Sequence, residues 1–167
     1  MKMLHRFLLL AFISVIPMFV GAQTSFKIQA GVGYLEHTSL GASIVFNHKH
    51  DVSFLYGSNL LVRPGDFSLY LLQYQRALPK LSVSRFAFHV GVKSGYGLYS
   101  DRYYRWKLLC GTAYLGSAYA LGSRTALFAD GGVIYNRVLE VTRKEQGAIG
   151  WYREWLPEFK IGIAFTI

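Results

Sequence analysis

The residues able to carry acid–base, nucleophilic or metal chemistry are few and dispersed. Beyond residue 22 there are four histidines: His37, His48, His50 and His89. A Ser–His–acid triad works because the imidazole takes the hydroxyl proton while a carboxylate orients the ring. Glu36-His37-Thr38-Ser39 holds those residue types side by side, but the composition is also that of a turn, and no motif fixes their order. No catalytic residue is assigned. His48-Lys49-His50 would project two imidazoles to one side of an extended chain, whereas a zinc site needs three or four ligands. A solvated turn is the preferred reading, and no metal or cofactor is expected. Gly31-Val32-Gly33 and the run from Gly91 to Gly97 match neither a phosphate-loop nor a dinucleotide fingerprint. Cys110 is the only cysteine, so no internal disulfide is available and it reads as a small apolar residue.

Two groups of residues hold more promise. Lys27, His89, Lys93, Asp130, Glu158 and Lys160 all fall on the polar side of alternating segments and are expected to face inward together. Buried charges need partners, so a salt-bridge plug is preferred over a narrow polar conduit or ligand site. The second group is Arg102, Tyr103, Tyr104 and Arg105 with Trp151, Tyr152, Arg153 and Trp155. Aromatic and arginine side chains of this kind serve as binding anchors, and equally as an aromatic rim; both readings stand.

The elements that must position these groups follow from hydrophobic periodicity. Met1 to Arg6 is a short basic stretch, and Phe7 to Val20 is uncharged and interrupted by Pro17. Val20-Gly21-Ala22 then supplies small residues for a signal-peptidase cut. A membrane-spanning helix needs about 20 apolar residues, so residues 1–22 are expected to be a cleavable signal peptide and 23–167 the mature domain.

Downstream, eight segments alternate with period 2. They are expected at about 25–35, 40–47, 52–63, 67–76, 86–97, 105–121, 125–141 and 157–167. The first is clear: Phe26, Ile28, Ala30, Val32 and Tyr34 oppose Lys27, Gln29, Gly31 and Gly33. The second sets Leu40, Ala42, Ile44 and Phe46 against Gly41, Ser43 and Asn47. The fourth is apolar on both faces until Gln73 and Gln75, and its phase stays open, as does that of the sixth. The polar faces consist of Gly, Ala and Ser with occasional charge, a poor surface for water but suited to the narrow lumen of an eight-stranded barrel. Asp130 would be costly against lipid, which turns Phe128, Asp130, Gly132 and Asn136 inward and Leu127, Ala129, Val133 and Tyr135 outward.

The fold expected is therefore all-β: an eight-stranded antiparallel up-and-down transmembrane β-barrel preceded by a cleavable signal peptide. An even strand number returns both termini to the periplasm. Turns at 47–51, 77–82 and 122–123 are then periplasmic, and loops at 36–39, 63–66, 100–105 and 142–155 extracellular. Tyr34, Tyr96, Tyr99, Trp106, Tyr135 and Trp155 are expected near the outer rim. The net charge is +9, and +7 once Lys2 and Arg6 are removed. The basic residues form no single stripe, which argues against nucleic acid and fits anionic headgroups.

Taken together, the Gly21-Ala22-Gln23 junction, the eight segments and the closing run Glu158 to Ile167 resemble the small outer-membrane β-barrel proteins of the Bacteroidetes type. The resemblance spans the chain and rests on pattern, not on a signature motif. It implies the cell outer membrane of a Gram-negative bacterium, lipids and lipopolysaccharide as surroundings, and the barrel-assembly machinery as a partner in biogenesis. It also implies a monomer with a structural or surface-binding role, a surface protein partner being one option. The alternatives are a lipid A-modifying barrel enzyme, by acyl transfer or deacylation, and a narrow channel. We expect the exported protein to begin at Gln23; amino-terminal sequencing checks this, and retention of Met1 to Ala22 would exclude it.

Overall fold

The computed structural model describes residues 24–34, 37–59, 67–100, 104–143 and 154–167. The expected signal peptide, Arg102, Tyr103, Trp151, Tyr152 and Arg153 lie outside them. All secondary structure among the described residues is β: β1 Thr24–Gly33, β2 His37–Phe46, β3 His50–Ser58, β4 Phe67–Ala77, β5 Phe86–Ser100, β6 Tyr104–Ala120, β7 Thr125–Arg143 and β8 Trp155–Thr166. Each strand pairs antiparallel with its chain neighbours, and β8 pairs with β1 to close the barrel.

The seam runs from Lys27 opposite Thr166 to Gly33 opposite Lys160. It is extended at its two ends by Ile167 N–H donating to Phe26 O (2.8 Å) and Tyr34 N–H donating to Phe159 O (2.9 Å). Pairing can be followed around the wall from Thr24 through Phe46, His50, Arg76, Val90, Leu115, Gly131 and Phe159. It returns to β1 at Tyr34, ten residues beyond its start. This stagger is the shear that tilts the strands and sets the bore.

Turn chemistry explains the end that holds both termini. Asn47 and His48 have φ of 51° and 55°, and Lys49 N–H donates to Phe46 O at 3.0 Å. Two central residues with positive φ suit the right-handed twist of the flanking strands. His48 is thereby a turn residue, while His50 belongs to β3 and its Nδ1 lies 2.8 Å from the Tyr74 hydroxyl. Phe46, expected on the outward face, is buried where β2 enters this turn.

Strand lengths are uneven. β1 to β4 have 9–11 residues, β6 has 17 and β7 has 19. The described β8 partners of β7 stop at Trp155 opposite Tyr135, whereas β6 continues to pair with β7 up to Tyr104 opposite Arg143. β5 accompanies β6 as far as Ser100 opposite Arg105, so among the described residues β5, β6 and β7 rise together above the wall at the end opposite the termini, β6 and β7 highest. A bulge interrupts the β6–β7 pair: Lys107 faces Glu140 and Leu108 faces Val138, leaving Leu139 as the extra residue. An extra residue reverses side-chain phase, so Glu140 emerges on the outer wall. The segment expected as a loop at 36–39 is strand from His37 onward, because its residues pair with both β1 and β3.

Candidate functional site

The lumen collects the alternate side chains of every strand, and it is layered. Toward the termini it is polar. Lys27 forms an ion pair with Asp51, whose second oxygen accepts from Ser53 Oγ at 2.7 Å. His89 Nε2 lies 2.8 Å from Asp130 Oδ1. Lys93 forms an ion pair with Glu158, both side chains 0% exposed, and its Nζ sits 4.9 Å from the Tyr114 ring centre. Lys160 Nζ lies 5.7 Å from the Phe128 ring centre. Gln75 Oε1 accepts from Gln73 Nε2 at 3.1 Å and from Tyr114 hydroxyl at 3.4 Å. At the termini-bearing mouth a cavity of about 200 Å³ remains, lined by Lys27, Gln29, Gln75, His89, Arg124 and Asp130 among others. It is polar and roomy enough to be hydrated.

Lys27, His89, Lys93, Asp130, Glu158 and Lys160 therefore all point into the bore, where His89 pairs with Asp130, Lys93 with Glu158 and Lys27 with Asp51, and Lys160 lies over the Phe128 ring. Lys27 and Lys160, although both on seam strands, sit at opposite ends of the seam. Asp51 falls within the turn expected at 47–51, but it is a lumen residue because β3 begins at His50 and Asp51 pairs with Val45. The alternation already visible at Ser53 and Gly57, carried back two residues, would have found it. The described lumen thus holds three lysines and three carboxylates: two lysines are ion-paired, and the third carboxylate, Asp130, is hydrogen-bonded to His89.

Away from the termini large apolar side chains fill much of the lumen, with Thr112 and Asn136 buried among them, which corrects the expectation of a small, polar bore throughout. Leu55, Leu69, Leu71 and Ile134 are at most 1% exposed, and Phe67 and Cys110 pack with them. The reason is large–small complementarity. A Cβ on Gly41 would strike Leu55, and one on Gly95 would strike Leu71. The open phase of β4 resolves accordingly: Phe67, Leu69, Leu71 and Gln73 point in, while Tyr70, Leu72 and Tyr74 point out. Above this layer lies a shallow mouth of about 470 Å³, with Phe67, Leu108 and Leu156 in its lining and Tyr34, Asn59 and Tyr99 beside them.

The expected binding surface is not assembled as one face among the described residues. Tyr104 is buried and meets Trp106 edge-on at 6.0 Å, whereas Arg105 is exposed on the opposite side of β6. Trp106 shares the inward phase and so is not part of the wall rim. Trp155 is exposed on the wall and packs on Tyr135 at 4.9 Å. Ser39, a triad candidate by composition, is buried in the lumen and donates to Gly31 O at 3.3 Å. No group of three potential metal-ligating side chains occurs among the described residues.

What sequence reading missed is a charged patch on the outer wall of the β6–β7 pair. Lys107 Nζ and Glu140 Oε2 lie 2.5 Å apart, with exposed Arg105 and Arg137 nearby on the same face. The hydrogen bond to Glu140, then its charge, raises the Lys107 pKa; the same bond, then the lysine charge, lowers that of Glu140. The small stabilisation such an exposed pair gives is lost on acidification through the lowered carboxyl value and on the alkaline side through the raised lysine value. Only the bulge at Leu139 brings Glu140 to this face.

No family model matches the chain, and no curated protein matches it. Solved structures do. One, from work on de novo design of transmembrane β-barrels, is similar with a TM-score of 0.55 and 16% identity, over 86% of this chain and 95% of that one. A major outer membrane protein from Thermus thermophilus is similar with a TM-score of 0.53 and 14% identity, over 86% of this chain and 99% of that one. The fold is thus that of small outer-membrane barrels.

The lumen packing generates two predictions. A Cβ on Gly116 would collide with both His89 and Asp130, whereas one on Gly111, on the outer wall, meets nothing. We expect Gly116→Ala to cost about 1–3 kcal/mol and Gly111→Ala to leave stability nearly unchanged, measured by urea unfolding of the detergent-folded protein. Glu158→Gln leaves Lys93 buried without its counter-ion and should cost about 3–5 kcal/mol. Lys93→Met in the same chain should recover much of the loss, since an unpaired charge then no longer remains; no recovery would mean that the pair is not the source.

Proposed function

We propose that this chain is an exported integral protein of the bacterial outer membrane, a closed barrel with a filled lumen and a structural or surface-binding role. The observation that carries the proposal is the inverted partition of side chains. Paired charges, amides and hydroxyls occupy the inside, while every strand presents apolar residues to the outside. Phe54, Leu72, Val92, Leu115 and Phe159 are each more than half exposed. A soluble protein rarely leaves so large a continuous apolar surface in water. A closed ladder is one of the two ways a chain can satisfy its backbone polar groups inside lipid.

Aromatic rings border this wall, as they do at membrane interfaces. Tyr34, Tyr56, Tyr70, Tyr135 and Trp155 lie toward one end, and Phe26, Phe86 and Phe165 toward the end with the termini. The Lys107–Glu140 pair falls beyond the first ring, where the wall leaves the hydrocarbon. This arrangement supports both termini in the periplasm and the tall β6–β7 pair outside the cell. The apolar layer of Leu55, Leu69, Leu71 and Ile134 argues against a conduit. The lipid A-modifying alternative draws no support from Ser39, which points into the bore.

The test has three parts. The native protein should fractionate with outer membranes and migrate differently on a gel before and after boiling. In planar bilayers it should show no steady conductance; discrete ohmic steps would favour the channel. Leu72 sits on the wall in mid-strand, opposite Phe54 and Ser94, so Leu72→Arg should cost about 2–4 kcal/mol and reduce the unboiled folded band, while Leu72→Val should not. Equal assembly of the two variants would mean that this wall does not face lipid.

A further inference from the structure

Among the described residues, charge on the outward strand positions of the upper wall is confined to one side of the barrel. At the end away from the termini, the outward positions of the other strands carry Tyr34, Thr38, Tyr70, Leu98 and Ser100. On β6 and β7 they carry Arg105, Lys107, Arg137 and Glu140, three cations against one carboxylate. The register sets Lys107 opposite Glu140 and Leu109 opposite Arg137. Glu140 is engaged by Lys107, and no acidic side chain among the described residues pairs with either arginine. Arg105 and Arg137 therefore flank Lys107 along roughly 13 Å of wall, four residue steps of a strand. That span is within reach of two arginine side chains extending toward a common group.

Directly below, the wall turns apolar. Leu109 and Leu115 flank Gly111 and Ala113 on β6, with Tyr135 opposite Gly111 and Trp155 beside it on β8. The space where a Gly111 side chain would stand is open. A ligand that fits has an anionic head at the level of the arginines and apolar chains descending past Leu109 and Gly111. Guanidinium groups bind phosphate oxygens in a fork, and a phosphate group has oxygens enough to engage two of them at once.

We infer that the outer wall of the β6–β7 pair is a binding site for the phosphate headgroup of an anionic membrane lipid, held by Arg105 and Arg137 with Lys107 between them. The inference rests on the membrane reading and gives the surface-binding role a ligand class. The site lies on the wall facing lipid, not in the mouth of the barrel. Glu140 acts as an internal competitor for Lys107 and limits its strength.

The experiment uses the folded full-length mature protein in bilayers containing lipids brominated close to the headgroup, which quench nearby tryptophan. Trp155 is exposed on the same wall. Brominated phosphatidylglycerol is compared with brominated phosphatidylcholine in otherwise identical mixtures. We expect the anionic lipid to be preferred, by roughly fivefold for each arginine engaged, and the preference to weaken with salt. Arg105→Gln with Arg137→Gln should remove most of it, while Arg76→Gln, on β4 near the termini, should leave it intact. If the double variant does not fold, Glu140→Gln is read instead, and the preference should rise. Equal quenching by both lipids, an undiminished preference in the folded double variant, or no rise in Glu140→Gln would overturn the site. Failure of the membrane reading itself looks different: neither lipid would quench.

Discussion

Closure of the β1–β8 seam is the constraint on which everything else depends. Once Lys27 to Gly33 pair with Thr166 to Lys160, every strand has two neighbours, and the wall has no edge along its common height. A closed ladder with a ten-residue stagger fixes the bore, and the bore of eight strands holds side chains and little more. The inside must therefore be filled by a matched set of large and small residues. The outside is left free to be apolar throughout, since no backbone group there needs water.

The filling uses two solutions in one tube. Near the termini, the charged groups are arranged in pairs that cross the bore: β1 to β3, β5 to β7 and β5 to β8. A pair that joins non-adjacent strands ties the cross-section together, and losing one partner leaves the other charged in a place with no solvent to take it. Farther along, leucines from β3 and β4 fill the space that glycines of β2 and β5 leave open. The polar layer specifies which strands face one another; the apolar layer seals. Neither would serve alone, because an all-charged bore demands perfect pairing and an all-apolar one would be hard to distinguish from the wall during folding.

Much of this was legible in the residues. The alternation in β1, β5 and β8 is clean because their inward positions are Gly, Lys, His and Glu while their outward ones are Phe, Val and Ile. Asp130 alone sufficed to set the phase of β7. Where the lumen is apolar, the same logic fails: Phe67, Leu69 and Leu71 point in and Tyr70 and Leu72 point out, so β4 shows no contrast to read. Only the packing partners Gly41 and Gly95, on other strands, reveal why large residues belong there. Asp51 was lost to a turn boundary drawn two residues too far, and Ser39 to a loop that is strand. The bulge at Leu139 has no local sequence signal, yet it decides on which face Glu140 lies.

That bulge also bears on how the tall β6–β7 pair meets its surroundings. Without it, Glu140 would continue the inward phase of Asp130 and Asn136 and add an acid above the apolar layer, where no lysine of the described lumen could reach it. With it, the carboxylate is delivered to the wall beside Lys107, at the height where hydrocarbon gives way to headgroups. There it offsets one of three cations rather than burying an unpaired charge. A single extra residue thus moves a costly group out of the bore and sets the residual positive charge of the outer wall. The electrostatics of the lumen and of the wall are therefore not independent features, since both follow from where the β7 phase is broken.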